Sequence, residues 1–160
     1  ILPDDLIIGE TSTIEQMISI HSSNNTAVLA LKSVEDERVP FLGIVESQQI
    51  DISTHRIIKC VEKPKLEDAP SNLAIIGRYI FTNDIFKYIK QTTKGALGEI
   101  QITDAINAQA TEKDVYGYQF PEEHFDTGNP SGLLEASIGY ALKHPEKAPG
   151  LIRFIKSLNL

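Results

Sequence analysis

Cysteine occurs once in the 160 residues, at Cys60, so no disulfide can close within the chain. It lies in the apolar run Ile57-Ile58-Lys59-Cys60-Val61, which predicts a buried thiol and suits a reducing, cytoplasmic compartment. Basic charge is short as well: 15 Lys and Arg against 22 Asp and Glu leave a formal net charge of −7. Nucleic-acid surfaces need clustered cations to displace counterions, so a nucleic-acid partner is excluded and a small molecule is expected instead. No apolar stretch approaches the ~20 residues of a membrane-spanning helix, and no membrane partner is expected. Nor do the ten glycines fall into a Walker or Rossmann pattern. Neither familiar cradle for nucleotide phosphates is therefore in this chain, and a nucleotide-binding half would have to lie upstream of Ile1.

What is present is ordinary globular composition, 41% hydrophobic and 23% charged. With no repeat and no linker-like tract, residues 1–160 read as a single domain. Strand-like and helix-like segments alternate, which predicts an α/β layered fold. Ser12-Thr13-Ile14-Glu15 has the spacing of a capping box, with Ile14, Met17, Ile18 and His21 on one helical face, giving a helix over 13–22. Residues 26–31 form a continuous apolar run, as in a strand covered on both faces. Further strands are predicted at 43–45, 56–61, 73–81 and 115–120, with 73–81 central. Asn83 can cap a helix bearing Ile85, Phe86 and Ile89, and Gly95 and Gly98 should break the chain before another helix over 99–110. Asn129 followed by Pro130 marks a last long helix, and an amphipathic tail at 151–155 suggests a short helix or an oligomer contact.

Two acidic sites stand far apart in sequence: Ile1-Leu2-Pro3-Asp4-Asp5 and His124-Phe125-Asp126-Thr127-Gly128. Each carboxylate ends an apolar run and opens a turn, the arrangement needed to hold one hard divalent cation against phosphate oxygens. Asp126 and Asp4 are thus the candidate metal ligands, although Asp also serves plain turns, and Asp4 with Asp5 could start a helix. Glu62-Lys63-Pro64 sits where an apolar strand stops; lysine there offers a point charge to phosphate and glutamate an acceptor for sugar hydroxyls, or the pair is a solvated strand end. Four histidines lie without metal-ligand spacing and receive no role. Arg78, inside the central strand, reads as half of a structural ion pair.

Taken in order, Leu2-Pro3-Asp4-Asp5, Val61-Glu62-Lys63-Pro64, Ser71-Asn72-Leu73-Ala74 with Gly77-Arg78-Tyr79, Gly98-Glu99-Ile100-Gln101-Ile102-Thr103-Asp104, and Phe125-Asp126-Thr127-Gly128 resemble the bacterial UTP–glucose-1-phosphate uridylyltransferases. The resemblance runs from residue 1 to about residue 146. It implies a partial Rossmann-like nucleotidyltransferase fold, a mixed sheet flanked by helices, and formation of UDP-glucose and pyrophosphate from UTP and glucose-1-phosphate. It further implies that Asp4 and Asp126 bind Mg²⁺, that Glu62 and the backbone of Gly43 contact glucose, and that Lys63 meets the sugar phosphate. The family's nucleotide loop precedes its Leu-Pro-Asp-Asp motif, so this chain is expected to be the C-terminal portion of such a catalytic domain, inactive alone and prone to homo-oligomerise. Leu42 replaces the family's usual aromatic residue before the glycine, and Asn129 stands where an aspartate is common. Two alternatives stay open on sequence: a non-catalytic sugar-phosphate-binding or oligomerisation module, and a related nucleotidyltransferase using dTTP or ATP.

Overall fold

The computed structural model describes residues 1–93 and 99–158. In chain order these form strand β1 (Asp5–Ile8), helix α1 (Thr13–Asn24), strands β2 (Val28–Ser33), β3 (Gly43–Gln49), β4 (Thr54–Glu62) and β5 (Leu73–Ile80), and helices α2 (Ile85–Gln91) and α3 (Ile102–Glu112). Strands β6 (Tyr116–Gln119) and β7 (Glu123–Asp126) and helices α4 (Pro130–Lys143) and α5 (Ala148–Ser157) complete the set. Two compact units result: one built from Ser12–Pro121, the other from Leu2–Thr11 with Glu122–Leu160. Among the described residues no helix is long and apolar enough to cross a membrane.

In the larger unit the strands close into a barrel in the order β2, β5, β3, β4, β6. Only β2 and β6 run parallel; the other neighbours are antiparallel, so the sheet is mixed. Val28 to Leu31 are fully buried, which explains the unbroken apolar run: this strand has no face left for water. The segment expected to be central is flanked on both edges, by β2 and β3. Leu29, Leu31, Val45, Ile57, Cys60 and Ile75 fill the interior, joined by Ile106 of α3. Gly117 on β6 makes this packing feasible, because a β-carbon there would fall 2.2 Å from Leu31 Cδ1. The β3–β4 turn is held by Asp51, whose Oδ1 accepts from the backbone N–H groups of Ser53 and Thr54, both at 2.9 Å. These donors, Ser53 first, lower the Asp51 pKa.

One end of the barrel is tied by a chain of side chains across four strands. Gln119 Nε2 donates to Ser33 Oγ at 3.1 Å, so Gln119 Oε1 must accept, and it does so from His55 Nε2 at 3.0 Å. His55 Nδ1 is then the acceptor for Ser47 Oγ at 3.1 Å. The network fixes the tautomer of a buried histidine that carries no recognisable signal in sequence.

Helix α1 begins as its capping box predicts, with Ser12 accepting from the Glu15 N–H. Helix α2 starts after Asp84, not Asn83; Asp84 is bonded by Thr82 and by Lys113 beyond α3, which draws it out of a capping role. Gly95 and Gly98 lie outside the described residues. Helix α3 begins at Ile102, three residues later than its pattern suggests.

The smaller unit is a two-stranded antiparallel ribbon, β1 with β7, in the register Asp5 opposite Asp126 through Ile8 opposite Glu123. Asp5 therefore opens a strand, not a helix. Strand β7 went unread in sequence because its four residues, Glu-His-Phe-Asp, carry no apolar alternation. Helix α4 is capped by Asn129, whose Oδ1 accepts from Gly132 N–H at 2.9 Å, with Pro130 in its first turn. It packs on the ribbon by bringing Gly139 against Phe125, where a β-carbon would come 2.8 Å from the ring.

Candidate functional site

Two groups of side chains assemble, one in each unit. In the smaller unit the register of β1 and β7 brings the two acidic sites together. Asp4 stands one residue outside the ladder and its carbonyl accepts from both the N–H and the hydroxyl of Thr127, each at 2.8 Å. That double clamp fixes the backbone on which the Asp4 carboxylate hangs. Asp126 is fixed in turn: its Oδ1 accepts from Gly128 N–H at 3.0 Å, and its carbonyl accepts from Asn129 Nδ2 at 3.2 Å. Both carboxylates then converge on Gly128, where a β-carbon would meet Asp4 Oδ2 at 2.9 Å and Asp126 Oδ1 at 3.1 Å. Glycine keeps that space open.

Next to the pair, Asp5 Oδ1 bonds His124 Nε2 at 2.5 Å with the imidazole almost wholly buried. A carboxylate only accepts, so Nε2 carries the hydrogen of that bond. His124, given no role on sequence, thus anchors the residue that follows Asp4. Among the described residues no group of three or more His, Cys, Asp or Glu side chains could hold a metal ion. Two carboxylates without nitrogen or sulfur ligands suit a hard cation that fills its other positions with water or phosphate oxygens, and do not suit zinc.

In the larger unit the second group gathers where β3 begins and β4 ends. Gly43 lies opposite Glu62 in the ladder. The open face of Gly43 is bordered by Glu62 Oε2, Thr103 Cγ2 and Ile75 Cδ1, which a β-carbon would meet at 3.3, 3.4 and 3.5 Å. Lys63 follows with φ of 47°, in the left-handed region that β-carbon-bearing residues rarely adopt, and its N–H bonds Leu42 O at 3.0 Å. The strand's alternation is broken at that residue, so the exposed Lys63 side chain is aimed independently of the pleat. Strained backbone of this kind collects at functional sites.

Beyond Arg56, β4 loses β6 as its neighbour, and a side chain takes over. Asn107 of α3 accepts from Cys60 N–H at 2.6 Å and donates to Cys60 O at 2.8 Å, imitating a strand partner two residues before Glu62. Nothing in the α3 sequence announces this use of Asn107. Cys60 itself is no nucleophile: burial first, and the Glu62 carboxylate second, push its thiol up to about 12. The structure thus brings together Asp4 with Asp126, and Gly43 with Glu62 and Lys63.

The sequence matches the family described as Nucleotidyl transferase over residues 1–142. The chain belongs to the nucleotidyl transferase family. It is 36% identical to a UTP--glucose-1-phosphate uridylyltransferase of Staphylococcus epidermidis across 160 residues, all of this chain and 56% of that one. Among solved structures it is similar to UDP-glucose pyrophosphorylase complexed with UDP-glucose, with a TM-score of 0.85 and 40% identity over 90% of this chain and 56% of the other. It is also similar to the UTP-bound UGPase from Acinetobacter baumannii, with a TM-score of 0.85 and 32% identity over 98% of this chain and 55% of the other. The nucleotidyl transferase chain thus spans little more than half the length of the relatives it matches. Its mixed α/β organisation agrees with theirs.

Proposed function

We propose that this chain is part of an enzyme that forms UDP-glucose and pyrophosphate from UTP and glucose-1-phosphate, with residues 1–160 a portion of one catalytic domain. The observation that carries the reading is the convergence of Asp4 and Asp126 on Gly128. Two carboxylates from opposite ends of the chain are held by separate backbone clamps around a point kept clear of side chains. The similarity to proteins named for UDP-glucose and glucose-1-phosphate supports the substrate assignment.

In this reading Asp4 and Asp126 hold Mg²⁺. When bound, the ion neutralises charge on reacting phosphates. Glu62, as an ionised acceptor, takes hydrogen bonds from glucose hydroxyls beside Gly43, and Lys63 neutralises the phosphate of glucose-1-phosphate. The attacking oxygen belongs to a phosphate already anionic at neutral pH, so no residue is needed to remove its proton. What the side chains supply is orientation of the sugar phosphate for in-line attack on the α-phosphorus of UTP. Exposed Leu134 on α4 and Phe154 on α5 support homo-oligomer formation, and the single buried thiol supports a cytoplasmic setting.

Pyrophosphate release by the full-length protein with UTP, glucose-1-phosphate and Mg²⁺ tests the reading. Turnover that needs all three supports it. Binding of glucose-1-phosphate without turnover would replace it with a sugar-phosphate-binding module, and preference for dTTP or ATP would move the protein to another nucleotide class.

A further inference from the structure

Strand β4 has a different kind of neighbour on each edge. Along one edge β3 stays paired, from His55 opposite Gln49 to Glu62 opposite Gly43. Along the other, β6 departs after Arg56, although the Ile57 N–H still reaches Val115 O at 2.8 Å. Cys60, further on, is 3% exposed, so its backbone groups need partners from the protein itself. Asn107 supplies one to each, accepting from the N–H at 2.6 Å and donating to the carbonyl at 2.8 Å. A carboxamide sets one acceptor beside one donor, as a paired residue of a neighbouring strand does.

The consequence lies two residues on. Strand side chains alternate with a period of two, so Glu62 leaves β4 on the same side as Cys60. Cys60 is seated in the barrel interior, and the Glu62 carboxylate comes to border the face of Gly43. Fixing the Cys60 peptide groups therefore fixes the direction from which Glu62 emerges. Asn107 is itself firmly mounted: Ile106 before it is fully buried among the barrel side chains, and Ala105 packs with Ile85 and Tyr88 of α2. The amide is thus a short, rigid link from a packed helix to the end of β4, the kind of support that preorganises a site.

We propose that Asn107 is a positioning residue for the hexose 1-phosphate: without touching the sugar, it holds the end of β4 where Glu62 can meet a ring hydroxyl. This rests on the reading that Glu62 receives the sugar. A misplacement of about 1 Å is enough to cost such a site much of its effect. Loss of the carboxamide frees one edge of β4 while β3 keeps the other, so the strand stays in the sheet and only its end loosens.

The test is steady-state kinetics of the full-length protein with UTP and glucose-1-phosphate. Asn107→Leu, close in size but without donor or acceptor, should raise KM for glucose-1-phosphate about tenfold and leave kcat and KM for UTP within about twofold. Hydrogen exchange at the Cys60 N–H should quicken in the same variant. In a Glu62→Ala background the further rise from Asn107→Leu should nearly vanish, because the amide acts through Glu62. If leucine is not tolerated, Asn107→Ala gives the same readout. Equal rises in KM for both substrates, or a rise for glucose-1-phosphate that persists in full without Glu62, would make Asn107 a merely structural residue and overturn the proposal. Unchanged kinetics would do the same. An unaltered protein that turns over no hexose 1-phosphate would instead sink the sugar-site reading, and this inference with it.

Discussion

The α-carbon of Gly132 lies directly against the carbonyl of Asp126: a β-carbon there would fall 1.8 Å from the oxygen, closer than any real contact permits. The first turn of α4 and the end of β7 are thus seated on each other without clearance. Gly132→Ala adds helix propensity worth about 1 kcal/mol, yet it must push the Asp126 backbone aside, and overpacking of this kind costs about 1–3 kcal/mol. The expected outcome is a less stable protein. Urea denaturation decides it, and a stabilised Gly132→Ala variant would show that the two elements part easily.

Gly128 makes a different demand. A methyl at this position would enter the space between Asp4 Oδ2 and Asp126 Oδ1 from an exposed turn, so folding is hardly affected while the two oxygens are forced apart. Gly128→Ala should therefore lower Mn²⁺ affinity by about tenfold or more, as disturbing the support of metal ligands does, with little change in melting temperature. Mn²⁺ titration followed by electron paramagnetic resonance is the measurement. Equal affinity in the variant would mean that the carboxylates do not share an ion.

Much of this was legible in the residues themselves. Ser12 and Asn129 cap their helices because short polar side chains before an apolar face have few other uses. The run at Val28 to Leu31 declared a strand buried on both faces, and Asp4 and Asp126 were singled out before any geometry joined them. The remainder depends on contacts between distant segments. Strand β7 exists because Asp5 to Ile8 lie opposite it, not because Glu123 to Asp126 prefer extended backbone. Asn107 looks like any polar helix residue until β4 loses β6 along one of its edges, while β3 stays paired along the other.

Asp84 supplies a pH dependence. Hydrogen bonding to Lys113, and then to Thr82, holds its carboxyl below the ordinary value of 3.8. The folded state therefore binds a proton at Asp84 less readily than the unfolded chain does. Its stabilising contribution is present above the unfolded pKa and is lost as pH falls through the depressed one. Asp84→Asn should melt lower than the unaltered protein at neutral pH, and the gap should close on acidification below about pH 4. Thermal melts across that range check this. A gap that stays constant into acid would assign the effect to packing of α2 and not to charge.

The contrast between Lys63 and Asp126 bears most directly on function. In the proposed function Lys63 meets a phosphate that is charged before, during and after reaction, so Lys63→Ala in the full-length protein should chiefly raise KM for glucose-1-phosphate. In the same proposal Asp126 is a metal ligand that matters most while charge moves toward pyrophosphate, so Asp126→Ala should chiefly lower kcat. The left-handed backbone at Lys63 supplies an internal control. Lys63→Gly relieves that conformation and should be about 1 kcal/mol more stable than Lys63→Ala, with the same loss of sugar-phosphate binding. Steady-state kinetics together with denaturation of the three variants separates charge from backbone. Near-normal turnover of Asp126→Ala with Mg²⁺ would reduce Asp126 to a turn residue, and the convergence on Gly128 would then say nothing about catalysis.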